Sequence, residues 1–195
     1  MLWSQRSSAP AEQVILTRAD PRLRRTLSER LSTASVCDIE RLSWVYWLLR
    51  TRQPRKVLMN GHSDDGVLLM AAAAVSIGQT GRIHAAGQRP REHTLKLLAD
   101  AGLDWVLRRQ SLTVDAEIGT GFDAAVVCGA QWSDDVLSTT RRLSAGALII
   151  ALGDPGTQEQ MNSTCAEMLQ SEPALESLML SPLAMPVITM IWRGN

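Results

Sequence analysis

Four short apolar runs, Lys56 to Asn60, Arg82 to Ala86, Phe122 to Cys128 and Ala147 to Leu152, constrain this chain more than any other feature. They are nearly continuous rather than alternating, as strands buried on both faces of a parallel sheet are. Parallel neighbours cannot be joined by tight turns; they need long crossovers, usually helical. The segments between the runs supply them. Val67 to Ile77 reads as an alanine-rich helix stopping at Gly78, and Pro90 introduces a helix over Arg91 to Ala101 that Gly102 closes. Trp105 to Leu107 reads as a short third strand. A helix over Ser133 to Leu143 carries Asp134 and Asp135 in its first turn, the end of the helix dipole that favours acids. Thr157 to Gln170 is helical in pattern, and then the rhythm changes. Leu175 to Leu180 and Val187 to Trp192 are strand-like, and the Ser181 to Pro186 connection is too short for a helical crossover, so they form an antiparallel pair. The expected fold is α/β, with a doubly wound, mostly parallel sheet of about seven strands closed by that pair.

Before the first strand the grammar differs. Residues 1–34 are rich in Arg, Ser and Ala, with Pro10 and Pro21 as breaks, and read as an N-terminal arm with short helical pieces. From Ser35, Val36, Ile39, Leu42, Val45, Tyr46 and Leu49 recur at helical steps up to Arg50, and Ser35 followed by Asp38 resembles an N-terminal capping pair. Trp44 and Trp47 flank the stripe, where they either pack on the body of the domain or serve a ligand or a second subunit. Residues 35–195 are then one domain.

Composition removes several function classes. Twenty Lys plus Arg balance 20 Asp plus Glu in 195 residues, so no whole-molecule field attracts nucleic acid or an anionic membrane. Only one Tyr and one Phe accompany six Trp, which leaves few stacking platforms for single strands. The local clusters Arg22, Arg24 and Arg25, and Arg50, Arg52, Arg55 and Lys56, are either solvated helix ends or a basic surface for RNA or acidic partners. No apolar run approaches the ~20 residues of a membrane span, and Met1 to Ala11 does not read as a secretory signal. Cys37, Cys128 and Cys165 are far apart without CxxC spacing, against both a disulfide framework and a zinc knuckle, and a reducing cytoplasm is the expected compartment.

In a doubly wound sheet, ligands bind beyond the carboxyl ends of the strands where the strand order reverses, so the strand tips are the places to look for chemistry. The first is Asn60-Gly61-His62-Ser63-Asp64-Asp65-Gly66, a glycine-bounded turn opening into a helix, which serves either as a structural turn or as a loop presenting backbone N–H groups to a ligand. His62 at its mouth is a candidate general base or a solvated capping residue. Asp64 and Asp65 could orient a substrate or simply complement the helix dipole. Cys128, at the fourth tip, is a candidate thiol nucleophile or a buried apolar cysteine.

Val57-Leu58-Met59-Asn60-Gly61-His62, Gly81-Arg82-Ile83-His84-Ala85, Ala101-Gly102-Leu103, Phe122-Asp123-Ala124-Ala125-Val126-Val127 and Leu143-Ser144-Ala145-Gly146-Ala147-Leu148-Ile149-Ile150 stand in a telling order and spacing. In these segments the chain resembles the class I S-adenosylmethionine-dependent methyltransferases, most of all the small catechol- and caffeoyl-CoA-type O-methyltransferases. The resemblance covers roughly Ser35 to Arg193. It implies a Rossmann-like methyltransferase domain, an S-adenosylmethionine pocket lined by Gly61, His62, Ser63, Asp65, Gly87, Gln88 and Cys128, and an arm that, with the Trp44 and Trp47 helix, could form a homodimer. A short-chain dehydrogenase shares the glycine turn, and Gly87-Gln88-Arg89-Pro90 and Cys128-Gly129-Ala130 are similar to its later tips. That enzyme needs a Tyr and a Lys four residues apart downstream, and the single Tyr here is Tyr46.

The departures fall on working positions of the family. Where it closes the first strand with an acid, this chain has Met59; where an acid binds the cofactor ribose, it has Gly87, with neutral Gln88 alongside. Metal-dependent members place an aspartate at the fourth strand tip and an Asp-Asn pair after the fifth, where Cys128, Leu152 and Gly153 stand, Asp154 lying one residue beyond. A magnesium or calcium ion needs several oxygen ligands, so no metal is expected there. Two functions remain. One is a methyltransferase-like protein with impaired or absent catalysis, acting as a binding or assembly partner. The other is a metal-independent methyltransferase for a small molecule, with His62 as its base.

Overall fold

The computed structural model describes residues 25, 28–29, 36–61, 65–78, 80–86, 90–108, 119–129, 131–154, 157–180 and 187–194. Helix α1 (Val36–Arg52) leads into β1 (Lys56–Gly61), α2 (Asp65–Ser76), β2 (Arg82–Ala85) and α3 (Glu92–Asp100). A short 3-10 turn, Asp104–Val106, precedes β3 (Leu107–Arg108). Then come β4 (Phe122–Cys128), α4 (Trp132–Thr140), β5 (Leu143–Leu152), α5 (Gln158–Ser171), β6 (Leu175–Leu180) and β7 (Val187–Trp192). The seven strands form one sheet in the order β3-β2-β1-β4-β5-β7-β6. Its first five strands in this order pair in parallel, and β7 runs antiparallel to both β5 and β6. The doubly wound sheet with a closing antiparallel pair is therefore the observed architecture.

The apolar runs are continuous because helices cover both faces of the sheet. Along β4, Ala124, Val126 and Cys128 enter one core with α1 and α2, while Ala125 and Val127 enter the other with α4 and α5. Strand geometry alternates side chains between faces, so a strand between two helical layers must be apolar at every position. Helix α2 repeats this logic. Gly66 to Val75 are all buried, since α2 is held between the sheet and α1, and its alanines let the two helices approach closely. The stripe read on α1 faces inward: Leu42, Val45, Tyr46 and Leu49 are buried, and Trp44 and Trp47 pack partly buried against the same core.

Three boundaries differ from the sequence reading. Trp105 belongs to the 3-10 turn, where Val106 N–H reaches the Leu103 carbonyl at 3.0 Å, and its exposed ring carries the Arg82 guanidinium 4.7 Å from its centroid. That leaves β3 only Leu107 and Arg108. Helix α4 stops at Thr140 and Leu143 joins β5, because the Arg142 carbonyl accepts the Gly121 and Phe122 N–H groups at 2.9 and 3.1 Å. Asp65 and Gly66, read as turn, are the first residues of α2. The β4–β5 register jumps from Phe122 opposite Leu143 to Ala124 opposite Leu148, so β5 bulges there, with Gly146 at φ +80°. Among the described residues no helix is long and apolar enough to cross a membrane.

Candidate functional site

The strand order reverses between β1 and β4, and the crevice of a doubly wound sheet opens beyond the carboxyl ends of such a pair. Register sets Gly61 opposite Cys128, and Cys128 opposite Leu152. Just past β2, Ala86 N–H donates to the Met59 carbonyl at 2.7 Å, and just past β4, Gly129 N–H donates to the Leu152 carbonyl at 3.1 Å. The four tips form one edge. Gly129 turns the chain away at φ +116°, a left-handed conformation suited to glycine, with open space where a Cβ would stand.

Of the residues singled out in the sequence, Gly61, Asp65 and Cys128 lie among those described; His62, Ser63, Gly87 and Gln88 lie outside them. Gly61 and Cys128 are brought together at the β1–β4 junction. The Cys128 thiol is in no disulfide and is buried in the core beneath α2, to which Met59 also belongs. Asp65 opens α2, and its Oδ1 accepts a short hydrogen bond from the hydroxyl of buried Thr94 on α3. One carboxylate oxygen of Asp65 thereby ties two helices together at the crevice end of the sheet.

The fold also assembles a polar group that sequence reading missed. Asn60, one residue before the β1 tip, donates from Nδ2 to Thr139 Oγ1 at 3.2 Å and to Asp135 Oδ1 at 3.4 Å, both on α4. Burial pushes the Asp135 carboxyl above its ordinary range, and the adjacent Asp134 charge adds to the rise. The available signal was an amide inside an otherwise apolar strand, because a half-buried amide needs partners from a neighbouring element.

The donor chemistry at this edge does not suit a hard cation. Cys128 offers sulfur, Leu152 a hydrocarbon, and Gly153 no side chain at all. A side chain at Gly153 would require Met161 and Thr157 to shift. A Cβ there would lie 2.2 Å from Met161 Sδ and 2.9 Å from Thr157 Oγ1. Asp154, the next residue, is exposed, and its carbonyl caps the start of α5 by accepting from Thr157 N and Oγ1 at 3.2 and 2.7 Å. Among the described residues no three His, Cys, Asp or Glu side chains are grouped to hold a metal ion.

No protein-family model matches the chain, and no curated protein matches it in sequence. Solved structures do match. The cofactor-bound protein Rv0187 from MTB superposes with a TM-score of 0.66 at 17% identity, over 98% of this chain and 100% of its own. TomG, an O-methyltransferase of tomaymycin synthesis from Streptomyces achromogenes bound to SAM, gives 0.63 at 17% identity, over 91% and 92%. A methyltransferase from Geobacter sulfurreducens gives 0.61 at 20% identity, over 91% and 90%. The chain has the small O-methyltransferase fold.

Proposed function

We propose that this chain is a methyltransferase-like protein that keeps an S-adenosylmethionine-type pocket at the β1–β4 edge, is impaired in or devoid of methyl transfer, and acts by binding. The carrying observation is the edge itself, where an open glycine tip remains and acid and metal positions hold Met59, Cys128, Leu152 and Gly153. Structural neighbours crystallised with SAM or SAH support the choice of ligand class. Gly61 would admit the cofactor close to the backbone, and Gln88 would serve the ribose hydroxyls in place of a carboxylate. When bound, the cofactor supplies a methyl group on a sulfonium. Using it requires an acceptor whose proton is removed, and neither Leu152 nor Gly153 can do that or hold a cation that would. Replacing a ribose carboxylate with a neutral partner costs about 1.5–3 kcal/mol of charge-assisted hydrogen bonding, or roughly ten- to a hundredfold in affinity. Binding survives such a loss more readily than catalysis does.

Asn60, Asp135 and Thr139 favour a second reading. They put a carboxyl with a raised pKa near the β1 tip, which, with His62, would serve metal-independent transfer to a small molecule. Calorimetry with S-adenosylhomocysteine, followed by methyl-transfer assays on catechol-type acceptors with and without magnesium, separates the readings. Micromolar binding with no transfer is expected. Transfer unaffected by a chelator supports the second reading, and transfer that magnesium stimulates overturns both.

A further inference from the structure

The sequence cluster Arg50, Arg52, Arg55 and Lys56 is not used by the β1–β4 edge, and the fold carries it to the opposite, amino end of the sheet. Two cavities open there, of about 440 and 360 Å³, and both are walled by the segment from Arg52 to Arg55. The first is floored by the β5 bulge, whose Gly146 carbonyl accepts Arg52 Nη2 at 2.8 Å. Arg50 reaches the second, its guanidinium 5.1 Å from the Trp47 ring centroid and donating to the Tyr46 hydroxyl at 3.2 Å. Arg55 is exposed, and its guanidinium has no partner among the described residues. Among the described residues the first cavity is lined by one acid, Asp123, whose Oδ2 is already engaged by the backbone N–H groups of Arg55 and Lys56 at 2.9 and 3.0 Å, and the second by none. Gln53, where the cavities meet, ends α1 at φ +47° with its N–H on the Leu49 carbonyl at 2.8 Å, a left-handed helix ending that is uncommon for a residue with a side chain.

We propose that this amino-end surface binds a small phosphate-bearing anion, of the diphosphate or phosphate-ester class, independently of the edge at β1 and β4. Guanidinium forks match phosphate oxygens in pairs, and three arginines line concave spaces within the size range of small-ligand sites. A nucleic acid is the weaker occupant. The chain's net charge is zero, which gives a polymer no long-range attraction, and the cations line cavities rather than a stripe.

The test is titration calorimetry of inorganic pyrophosphate into the full chain at low salt. Submillimolar binding is expected, weakened about tenfold or more by Arg55→Glu, several-fold by Arg52→Lys, which keeps the charge but loses the fork, and further by added salt. Circular dichroism verifies that each variant is folded. S-adenosylhomocysteine binding should be unchanged in both variants, so this proposal and the cofactor reading can fail separately. Absence of heat with millimolar pyrophosphate, or binding indifferent to both substitutions, overturns the proposal. An RNA oligomer that binds more tightly than pyrophosphate and is lost on the same substitutions overturns it in favour of nucleic acid.

Discussion

At the carboxyl end of the sheet the strands β1, β4 and β5 finish in Gly61, Cys128 and Leu152, side chains without charge, whereas at the amino end β1 begins beside Arg52, Arg55 and Lys56. Both ends hang from the same fully buried centre, in which Leu58, Ala125 and Ile149 have almost no exposure. The contrast teaches that one buried interior, which at the carboxyl end reaches out to Met59, Cys128 and Leu152, can carry two rims of different chemistry. One end is uncharged at its strand tips while the other gathers cations, and the exposed arginines of the second lie outside the two buried cores.

The severest way to break the comparison is to remove the shared platform. Leu58→Ala opens a cavity at the middle of β1 and should lower stability by about 2–5 kcal/mol. Urea unfolding followed by tryptophan fluorescence reads the loss. If the rims are independent passengers on one core, ligand binding at both should fall together as the protein melts. A variant that loses only one would mean that the two ends unfold separately.

A second substitution asks whether the carboxyl rim accepts a polar side chain after β5. Gly153→Asn would put a Cβ against Met161 Sδ and Thr157 Oγ1, and overpacking of this kind costs about 1–3 kcal/mol. The paired change Met161→Ala should recover part of that loss in a double-mutant cycle. Full tolerance of Gly153→Asn alone, with an unchanged urea midpoint, would show that α5 yields easily and that the rim is not closed by packing.

How much of this was readable beforehand depends on the range of the signal. The strands and helices follow from local patterns: apolar runs, the alanine-rich stretch over Val67 to Ile77, glycine and proline stops. The rim was legible as a set of tips, since Gly61 and Cys128 end their runs, and register then sets them side by side. Contacts between distant side chains were not legible. Asn60 meets Asp135 across 75 positions, Asp65 meets Thr94 across 29, and Arg52 meets the Gly146 carbonyl across 94. Nothing near any of these residues encodes its partner, which only the packing of helices and the β5 bulge supplies. Trp105 shows the opposite failure: a residue with strand propensity sits in a 3-10 turn closed by the Val106 N–H on the Leu103 carbonyl, and local preference yields to that turn.

The amino rim can be sharpened with a smaller change. Gln53→Gly relieves a left-handed residue, worth about 1–2 kcal/mol, against an entropic cost of about 0.5–1 kcal/mol for the added glycine, so a net gain of about 0.5 kcal/mol is expected. Thermal unfolding would register it as a small rise in midpoint. A clear loss instead would mean that the Gln53 side chain stabilises this corner by contacts outweighing its backbone strain.

The smallest effect concerns Asp135, and it is read as a slope rather than a level. Burial first, and then the Asp134 charge, push its carboxyl above the ordinary carboxylate range. A raised acid binds its proton more tightly in the folded chain than in the unfolded one, so folding favours the protonated form. The contribution is present in full below the unfolded value and is lost as pH rises through the folded one. The stability of the parent relative to Asp135→Asn should therefore decline over the pH range just above 3.8. Solvent screening at this partly exposed site keeps the decline small. The helix dipole and the Asn60 hydrogen bond act the other way, since both favour the carboxylate. Urea titrations of the two proteins at several acidic pH values decide between these forces. An opposite slope would mean that the hydrogen bond and the dipole outweigh burial, making Asp135 a held carboxylate that needs a stronger acid to protonate it. It would then be a weaker base, which removes the raised carboxyl that favours the metal-independent reading of the carboxyl rim.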